Sequence, residues 1–382
     1  MARPLRIFVP SAAGLLTDHR GHGEGLIASS ICFGLAARGH ELVVCARHVD
    51  LEAQPSFEVI ETGPASKWES LEPLAYASKS MRLFQRLGGA ERFDVVHWMF
   101  PQGPKEVLFS PPDATVFFVG PHSLDWAARS KPSRPGDLVR WATGPLYERK
   151  HHRSLAAASS VFVSVPEAGS LVPPEFQSKV RVLPFGIDTK RFRATALPSE
   201  PVVLFLGRLD VVKGVRALIP AADRIRSVLP DVRVRVAGEG PEEDWLRTQA
   251  KRMGLTETIE FLGPVPHAET ARLLETSSLL FAPSRGEPFG MTVLEAMACG
   301  RAVVALDDSG PRYLLDGSSN GGPRQLVNAD QPEALADALL DLLRDPVRLA
   351  SIGYGNRVRV EAMFSLNRML DALEQAYVEA SA

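Results

Sequence analysis

Two carboxylates and two cations carry the chemistry this sequence can offer. Glu287 and Glu295 stand on either side of Gly290 in Ser284-Arg285-Gly286-Glu287-Pro288-Phe289-Gly290-Met291-Thr292-Val293-Leu294-Glu295-Ala296-Met297-Ala298-Cys299-Gly300. Arg208 and Lys213 fall within one earlier segment that begins at Gly207. A carboxylate accepts hydrogen bonds from hydroxyls, whereas a guanidinium forks onto phosphate oxygens and an ammonium acts as a point charge. Together these groups suit a ligand that carries both a polyol and a diphosphate. Singly they are weak signals. A Glu near a helix start usually fills the positive helix end or faces solvent, and an Arg and a Lys in a loop are unremarkable.

The surrounding pattern says how these residues are positioned. Leu279 to Ala282 is an apolar run that reads as a buried strand. Gly286, Pro288 and Gly290 break that pattern into a turn. Good helix formers follow from Met291, and Gly300 is a natural stop. A strand therefore feeds a tight loop that opens a helix, whose N–H groups and dipole favour an anion. Gly290 lets a ligand approach the backbone closely. Val202 to Leu206 is a second apolar strand, ending in Gly207-Arg208, with Lys213-Gly214 before a helix. Val232 to Ala237 ends in Gly238-Glu239-Gly240-Pro241, and Ile259 to Gly263 is a further strand end. Each candidate follows a strand, and open α/β sheets bind ligands at the carboxyl ends of their strands.

The first half has the same grammar. Leu5 to Val9 reads as a strand, Pro10 to Gly25 as a long loop, Leu26 to Ala37 as a helix and Glu41 to Ala46 as a strand. That order implies a parallel sheet with a right-handed crossover. Gly21, Gly23 and Gly25 do not complete a dinucleotide fingerprint, because Leu26 stands where the last glycine belongs. Further strands are expected at Asp94–Trp98, Thr115–Val119, Ser160–Val165 and Val180–Leu183. His97 and His122 lie at strand ends, where a histidine either caps the strand or faces a ligand. Residues 126 to 153 are basic and aromatic, from Trp126, Arg129, Lys131 and Arg134 through Arg140 and Trp141 to His151, His152 and Arg153. The usual account is a solvated helix face, and the sharper one is a patch for an anionic acceptor or acidic lipid heads. The segment from Asp188 to Pro201 reads as an interdomain linker. Ala302 to Leu306 is a strand, and residues 333–343 and 366–379 are amphipathic helices.

A length of 382 residues suits two domains, and a net charge of −2 lacks the basic excess of a nucleic-acid binder. Cys32, Cys45 and Cys299 have neither metal nor disulfide spacing, which points to core residues of a cytoplasmic protein. Neither a secretory leader nor an apolar run of membrane-spanning length is expected, which leaves peripheral contact at the inner membrane face as the one membrane reading.

Glu287, then Pro288-Phe289-Gly290, then Leu294-Glu295-Ala296-Met297-Ala298-Cys299-Gly300 resembles the E-x7-E signature of the retaining glycosyltransferases of family 4. The resemblance is strong from about 201 to 312 and looser over the first half. It implies an α/β fold of the GT-B type, with two Rossmann-like domains whose parallel sheets face each other across a cleft. It divides the chain into an acceptor domain at 1–190, a donor domain at 200–360 and a terminal helix at 361–382 that crosses back. It implies a hexosyltransferase-type enzyme (EC 2.4) that moves a sugar from a nucleotide diphosphate sugar to an acceptor with retention. Arg208 and Lys213 match the residues that meet the donor diphosphate, Glu287 the one on the sugar hydroxyls, and Glu295 the one on the ribose. His122 matches a histidine facing the donor sugar, and backbone near Leu262 and Gly263 meets the base. Gly23 matches the second of two loop glycines, with His22 replacing the first, and Phe185 is a departure in the turn before Asp188. Gly207, Gly238, Phe289, Gly290 and Met291 complete the expected donor site.

A hydrolase pair is the competing use of two glutamates. Retaining and inverting pairs sit ~5 and up to ~9.5 Å apart, whereas eight helical residues rise ~12 Å. The chain has no Asp-x-Asp, so the leaving diphosphate is expected to rely on Arg208, Lys213 and the helix N-terminus, with no metal site and no cofactor beyond a UDP- or GDP-sugar. The partners expected are that donor and a small-molecule, glycan or lipid-linked acceptor, not nucleic acid. A GT-B-fold epimerase, a phosphorylase and a non-catalytic nucleotide-sugar-binding protein are the alternatives. A phosphorylase would need a site for free phosphate or a cofactor lysine.

Overall fold

The computed structural model describes residues 3–21, 23–66, 71–100, 107–112, 115–122, 137–315, 325–328 and 332–381. The chain forms two compact units, Met1–Gly186 joined by Leu366–Ala382, and Ile187–Ser365. Among the described residues no helix is long and apolar enough to cross a membrane.

The first unit runs β1 (Arg6–Ser11), β2 (Leu15–Thr17), α1 (Gly23–Ala37), β3 (Glu41–Ala46), β4 (His48–Asp50), β5 (Glu58–Glu61), α2 (Glu72–Arg86), α3 (Gly89–Arg92), β6 (Val95–Trp98), β7 (Phe117–His122), α4 (Asp137–Ala157), β8 (Ser160–Val163) and β9 (Val180–Val182). Its main sheet has the order β5-β3-β1-β6-β7-β8-β9 and is parallel throughout. β1 and β3 are almost continuous apolar runs, as strands covered on both faces require. Several elements depart from the sequence expectation, β4, β5 and α3 among them as unforeseen. The loop over 10–25 contains β2, which pairs in parallel with β4, and α1 already begins at Gly23. The strand expected at 115–119 lies at Phe117–His122. α2, which the sequence reading omitted, packs Phe84 5.5 Å from the Phe8 ring.

The second unit runs β10 (Val202–Leu206), α5 (Leu218–Arg226), β11 (Arg233–Ala237), α6 (Glu243–Arg252), β12 (Ile259–Gly263), α7 (His267–Glu275), β13 (Leu279–Ala282), α8 (Met291–Ala298), β14 (Ala302–Leu306), α9 (Ser309–Leu315), β15 (Leu326–Val327), α10 (Pro332–Leu343) and α11 (Pro346–Arg359). Its sheet is parallel in the order β12-β11-β10-β13-β14-β15. That is the 3-2-1-4-5-6 order of a doubly wound nucleotide-binding sheet, and its direction of winding reverses between β10 and β13. The core joins Val203 and Phe205 of β10, Val234 and Val236 of β11, and Leu339 and Leu342 of α10. The segment expected as a linker is docked instead. Fully buried Arg301 donates to the carbonyls of Thr195, Ala196, Leu274 and Glu275, and Arg357 donates to those of Thr189 and Phe192. Two arginines this far along the chain cannot be matched to a linker from periodicity.

The terminal helix α12 (Leu366–Ser381) belongs to the first unit. It lies so close to α1 that a Cβ on Gly34 would come within 2.4 Å of Leu370 Cδ1. Glu374 accepts from His40 at 2.8 Å. His97 is fully buried, with Nε2 2.7 Å from the Gly120 carbonyl and Nδ1 2.6 Å from the Tyr377 hydroxyl. A carbonyl can only accept, so Nε2 donates and Nδ1 accepts from Tyr377. His97 is therefore a packed link between β6 and α12, and its reading as a ligand-facing residue is corrected. Burial pushes its pKa down to about 4 from 6.5, against the opposing Gly120 hydrogen bond. The three cysteines are buried, and burial pushes each thiol up to about 12.

Because folded His97 refuses a proton that the unfolded chain accepts, its contribution to stability is complete above about pH 6.5 and is lost as the pH falls toward 4. Urea unfolding of wild type should weaken over that window more steeply than unfolding of His97→Gln. At neutral pH, Tyr377→Phe should cost ~1–3 kcal/mol by leaving the buried Nδ1 without a donor.

Candidate functional site

The carboxyl ends of β10 to β13 gather most of the residues named from sequence. Gly207 N donates to the Ala237 carbonyl at 3.0 Å, and Gly238 N to the Gly263 carbonyl at 2.8 Å, so neighbouring strand ends are stitched together. After β10, Asp210 organises the loop. One of its carboxylate oxygens accepts from Lys213 N at 2.8 Å, and the other pairs with the Arg208 guanidinium. Asp210 is nearly buried, while the Arg208 side chain is 70% exposed. The charge is thus held at its root and presented to solvent at its tip.

The loop after β13 meets this one at the reversal point. Arg285 N donates to the Val212 carbonyl at 3.0 Å. Gly214 is left-handed at φ 70°, and a Cβ there would sit 2.0 Å from the Pro283 carbonyl oxygen. Across this contact Lys213 Nζ meets Glu287 Oε2 at 2.8 Å, with the two side chains 30% and 14% exposed. Asp308 accepts from Gly286 N and Ser309 N, and Gly310 N donates to the Glu287 carbonyl at 3.2 Å, so the start of α9 braces the loop.

α8 opens at Gly290, which is left-handed at φ 94° and supplies no side-chain cap. Its first turn contains no acidic residue. Glu287 precedes that turn, and its carboxylate pairs with Lys213. Phe289 is buried and Met291 partly so. Glu295, in the second turn, is buried and accepts from His267 Nε2 at 3.1 Å. Leu262 is partly exposed on β12.

The structure thus brings Gly207, Arg208, Lys213, Gly238, Leu262, Glu287, Phe289, Gly290, Met291 and Glu295 to one sheet edge of the second unit. Gly23 and His122 belong to the first unit, as the exposed first residue of α1 and the last residue of β7. Of His122 the structure describes the backbone. His22, Trp126, Arg129, Lys131 and Arg134 lie outside the described residues. Within the remaining basic stretch, His151 is buried, which removes it from any surface patch. Sequence reasoning missed Asp210, His267, Arg191 and Asp308. Asp210 left a signal, an Asp three residues before Lys213 at a turn. The others act across long sequence separations and left none. Among the described residues no cluster of three His, Cys, Asp or Glu is placed to hold a metal ion.

Residues 187–359 match the family model described as "Glycosyl transferases group 1". Over 94% of its length the chain is 30% identical to a glycogen synthase of Mycobacterium tuberculosis, covering 91% of that protein. The chain belongs to the group 1 glycosyl transferases. It is also 43% identical to a phosphatidyl-myo-inositol mannosyltransferase of Mycobacterium leprae, over 38% of each chain. Among solved structures, sucrose-phosphate synthase from Thermosynechococcus elongatus superposes with a TM-score of 0.73 at 20% identity, covering 99% of both chains. Anabaena HepE in complex with UDP gives 0.71 at 19% identity, covering 98% of this chain and all of that one. The fold of this glycosyltransferase is GT-B, with a parallel sheet in each of two α/β units, and its activity falls in EC 2.4.

The Gly214–Pro283 approach gives a structural test. Gly214→Ala should lower stability well beyond the ~1–2 kcal/mol of a left-handed alanine. Gly263→Ala has the same φ of 70° with nothing within 4 Å, and should cost only that amount. Equal losses in urea unfolding would show that the two loops do not meet as described.

Proposed function

We propose that this enzyme is a retaining, metal-independent hexosyltransferase whose second unit binds a UDP- or GDP-sugar as donor. The observation that carries the reading is the Lys213–Glu287 contact of 2.8 Å at the point where the sheet reverses direction. A cation for phosphate and an acceptor for hydroxyls stand side by side there, which is the pairing a sugar diphosphate needs at its anomeric end.

On donor binding, Arg208 and Lys213 take the diphosphate with the first-turn N–H groups of α8. Glu287 accepts from the sugar hydroxyls, Glu295 from the ribose, and backbone around Leu262 meets the base. His122 and Gly23, from the first unit, are assigned to the donor sugar and the donor site on the family resemblance alone. The bond from the anomeric carbon to the diphosphate oxygen breaks as the acceptor oxygen attacks the same face. The acceptor proton passes to the departing phosphate oxygen. The cations and helix end offset the charge that develops on that oxygen. HepE in complex with UDP and with UDP-glucose supports a nucleotide-sugar donor. The names of a lipopolysaccharide-pathway glycosyltransferase and of the phosphatidyl-myo-inositol mannosyltransferases support a glycan or lipid-linked acceptor. Family membership disfavours the epimerase reading.

A thermal-shift series with UDP, GDP, ADP and their glucose and mannose derivatives should single out one base by mass action. With that donor, Lys213→Ala and Glu287→Ala should each reduce kcat by ~100-fold or more while remaining folded. Wild-type rates in both would remove these residues from the mechanism, and binding without transfer to any acceptor would leave a nucleotide-sugar-binding protein. Proton NMR of the first-formed product should show the donor's anomeric configuration, whereas inversion would exclude same-face attack.

A further inference from the structure

Behind Glu295 the second unit holds a second polar chain, built from residues the proposed mechanism does not use. His267 is the first residue of α7 and follows Pro266. Its Nδ1 lies 3.0 Å from Arg191 Nη2, and its Nε2 lies 3.1 Å from Glu295 Oε1. The same Nη2 of Arg191 also lies 2.6 Å from the His267 carbonyl, so the guanidinium is anchored to the start of the helix. The His267 and Glu295 side chains are only 13% and 7% exposed. The Phe192 ring stands 6.1 Å from the imidazole and beneath the guanidinium, with 5.4 Å from Arg191 Cζ to its centroid.

The donor and acceptor roles in this chain are forced. A guanidinium has five N–H donors and no acceptor, and it does not lose its proton. Nδ1 must therefore accept from Arg191. A neutral imidazole that accepts at Nδ1 carries its hydrogen on Nε2. An imidazolium would set Nδ1–H against an N–H of the guanidinium, two donors face to face. The contact with Glu295 is thus a directed Nε2–H bond to one named oxygen, Oε1. A carboxylate has about four acceptor sites, so one bond to Oε1 leaves acceptor capacity at Oε2.

We propose that His267 is a positioning residue for ribose recognition: Arg191 fixes its tautomer, and its Nε2–H holds Glu295 so that Oε2 receives a ribose hydroxyl of the donor nucleotide. This inference rests on the reading of the second unit as a nucleotide-sugar site. The chain turns a flexible carboxylate into an oriented acceptor by spending one imidazole and one guanidinium that never touch the ligand. It also makes the contact selective for a hydroxylated sugar, because a buried acceptor left without its donor is costly.

The test compares calorimetric Kd values for a ribonucleoside diphosphate and its 2′,3′-dideoxy analogue, using the base that the wild type binds. Wild type should prefer the ribonucleotide by ~10-fold or more. His267→Phe should bring that ratio near one, whereas His267→Gln, whose amide nitrogen can stand in for Nε2, should restore most of it. A full ratio in His267→Phe would overturn the positioning role alone. A wild type that binds the nucleotide without preferring ribose, or binds no nucleotide, would overturn the ribose or donor reading and the inference with it. An independent readout needs no variant: long-range nitrogen–proton correlation of histidine-labelled wild type should show His267 as the Nε2–H tautomer. An Nδ1–H tautomer or an imidazolium would overturn the proposal directly.

Discussion

Holding an ammonium 2.8 Å from a carboxylate at the edge of a sheet is a constraint on two loops, not on two side chains. Lys213 and Glu287 are far apart in sequence and follow different strands. They meet because β10 and β13 are neighbours and the sheet winds away from them in opposite directions. A doubly wound sheet opens a crevice where its winding reverses, and here the two loops touch at that point. Gly214 then sets how closely they do, since any side chain there would strike the Pro283 carbonyl. The Lys213–Glu287 ion pair, and with it the diphosphate site proposed there, depends on that approach.

Charge at the site is rooted in layers. Asp210 holds the backbone of Lys213 and the guanidinium of Arg208, and Asp308 holds the backbone of the Glu287 loop. Neither aspartate needs to touch a ligand. Arg191 and His267 stand in the same relation to Glu295. Arg208 and Lys213 are thus oriented by an aspartate of their own loop, and the Glu287 loop and Glu295 by partners from other parts of the chain, which is how a site keeps its geometry when charge changes on the ligand. In the first unit the same logic is structural. His97 joins β6 to the terminal helix through Tyr377, and its low pKa follows from burial.

The sequence made the second unit legible because its strands are apolar runs ended by Gly and charge. Strand ends carry the chemistry of a doubly wound sheet, so Arg208, Lys213, Glu287 and Glu295 could be named with their neighbours. The loop and helix around Gly290 appeared where Gly, Pro and helix formers put them. What stayed hidden depends on pairing across distance. β2 has three residues and is defined by its partner β4, not by a pattern of its own. The 188–201 segment looks like a linker because its carbonyls are satisfied by arginines more than a hundred residues later. His267 lies 28 residues from Glu295, and nothing at position 267 marks it as more than a histidine at a helix start. His97 stood at a strand end as a candidate, and only its burial and its bonds to Gly120 and Tyr377, made across the chain, show it to be packed.

The central claim is that Lys213 reads phosphate while Glu287 reads the sugar, and calorimetry on the two single mutants tests it most directly. Kd values would be measured for the nucleoside diphosphate and for the corresponding nucleotide sugar. Lys213→Ala should weaken both ligands by ~10-fold or more, as the loss of a charged hydrogen bond requires. Glu287→Ala should weaken only the nucleotide sugar and leave the diphosphate bound as well as before, or more tightly. Equal weakening of both ligands by Glu287→Ala would contradict the division of roles, and unchanged binding in both mutants would remove the pair from the donor site.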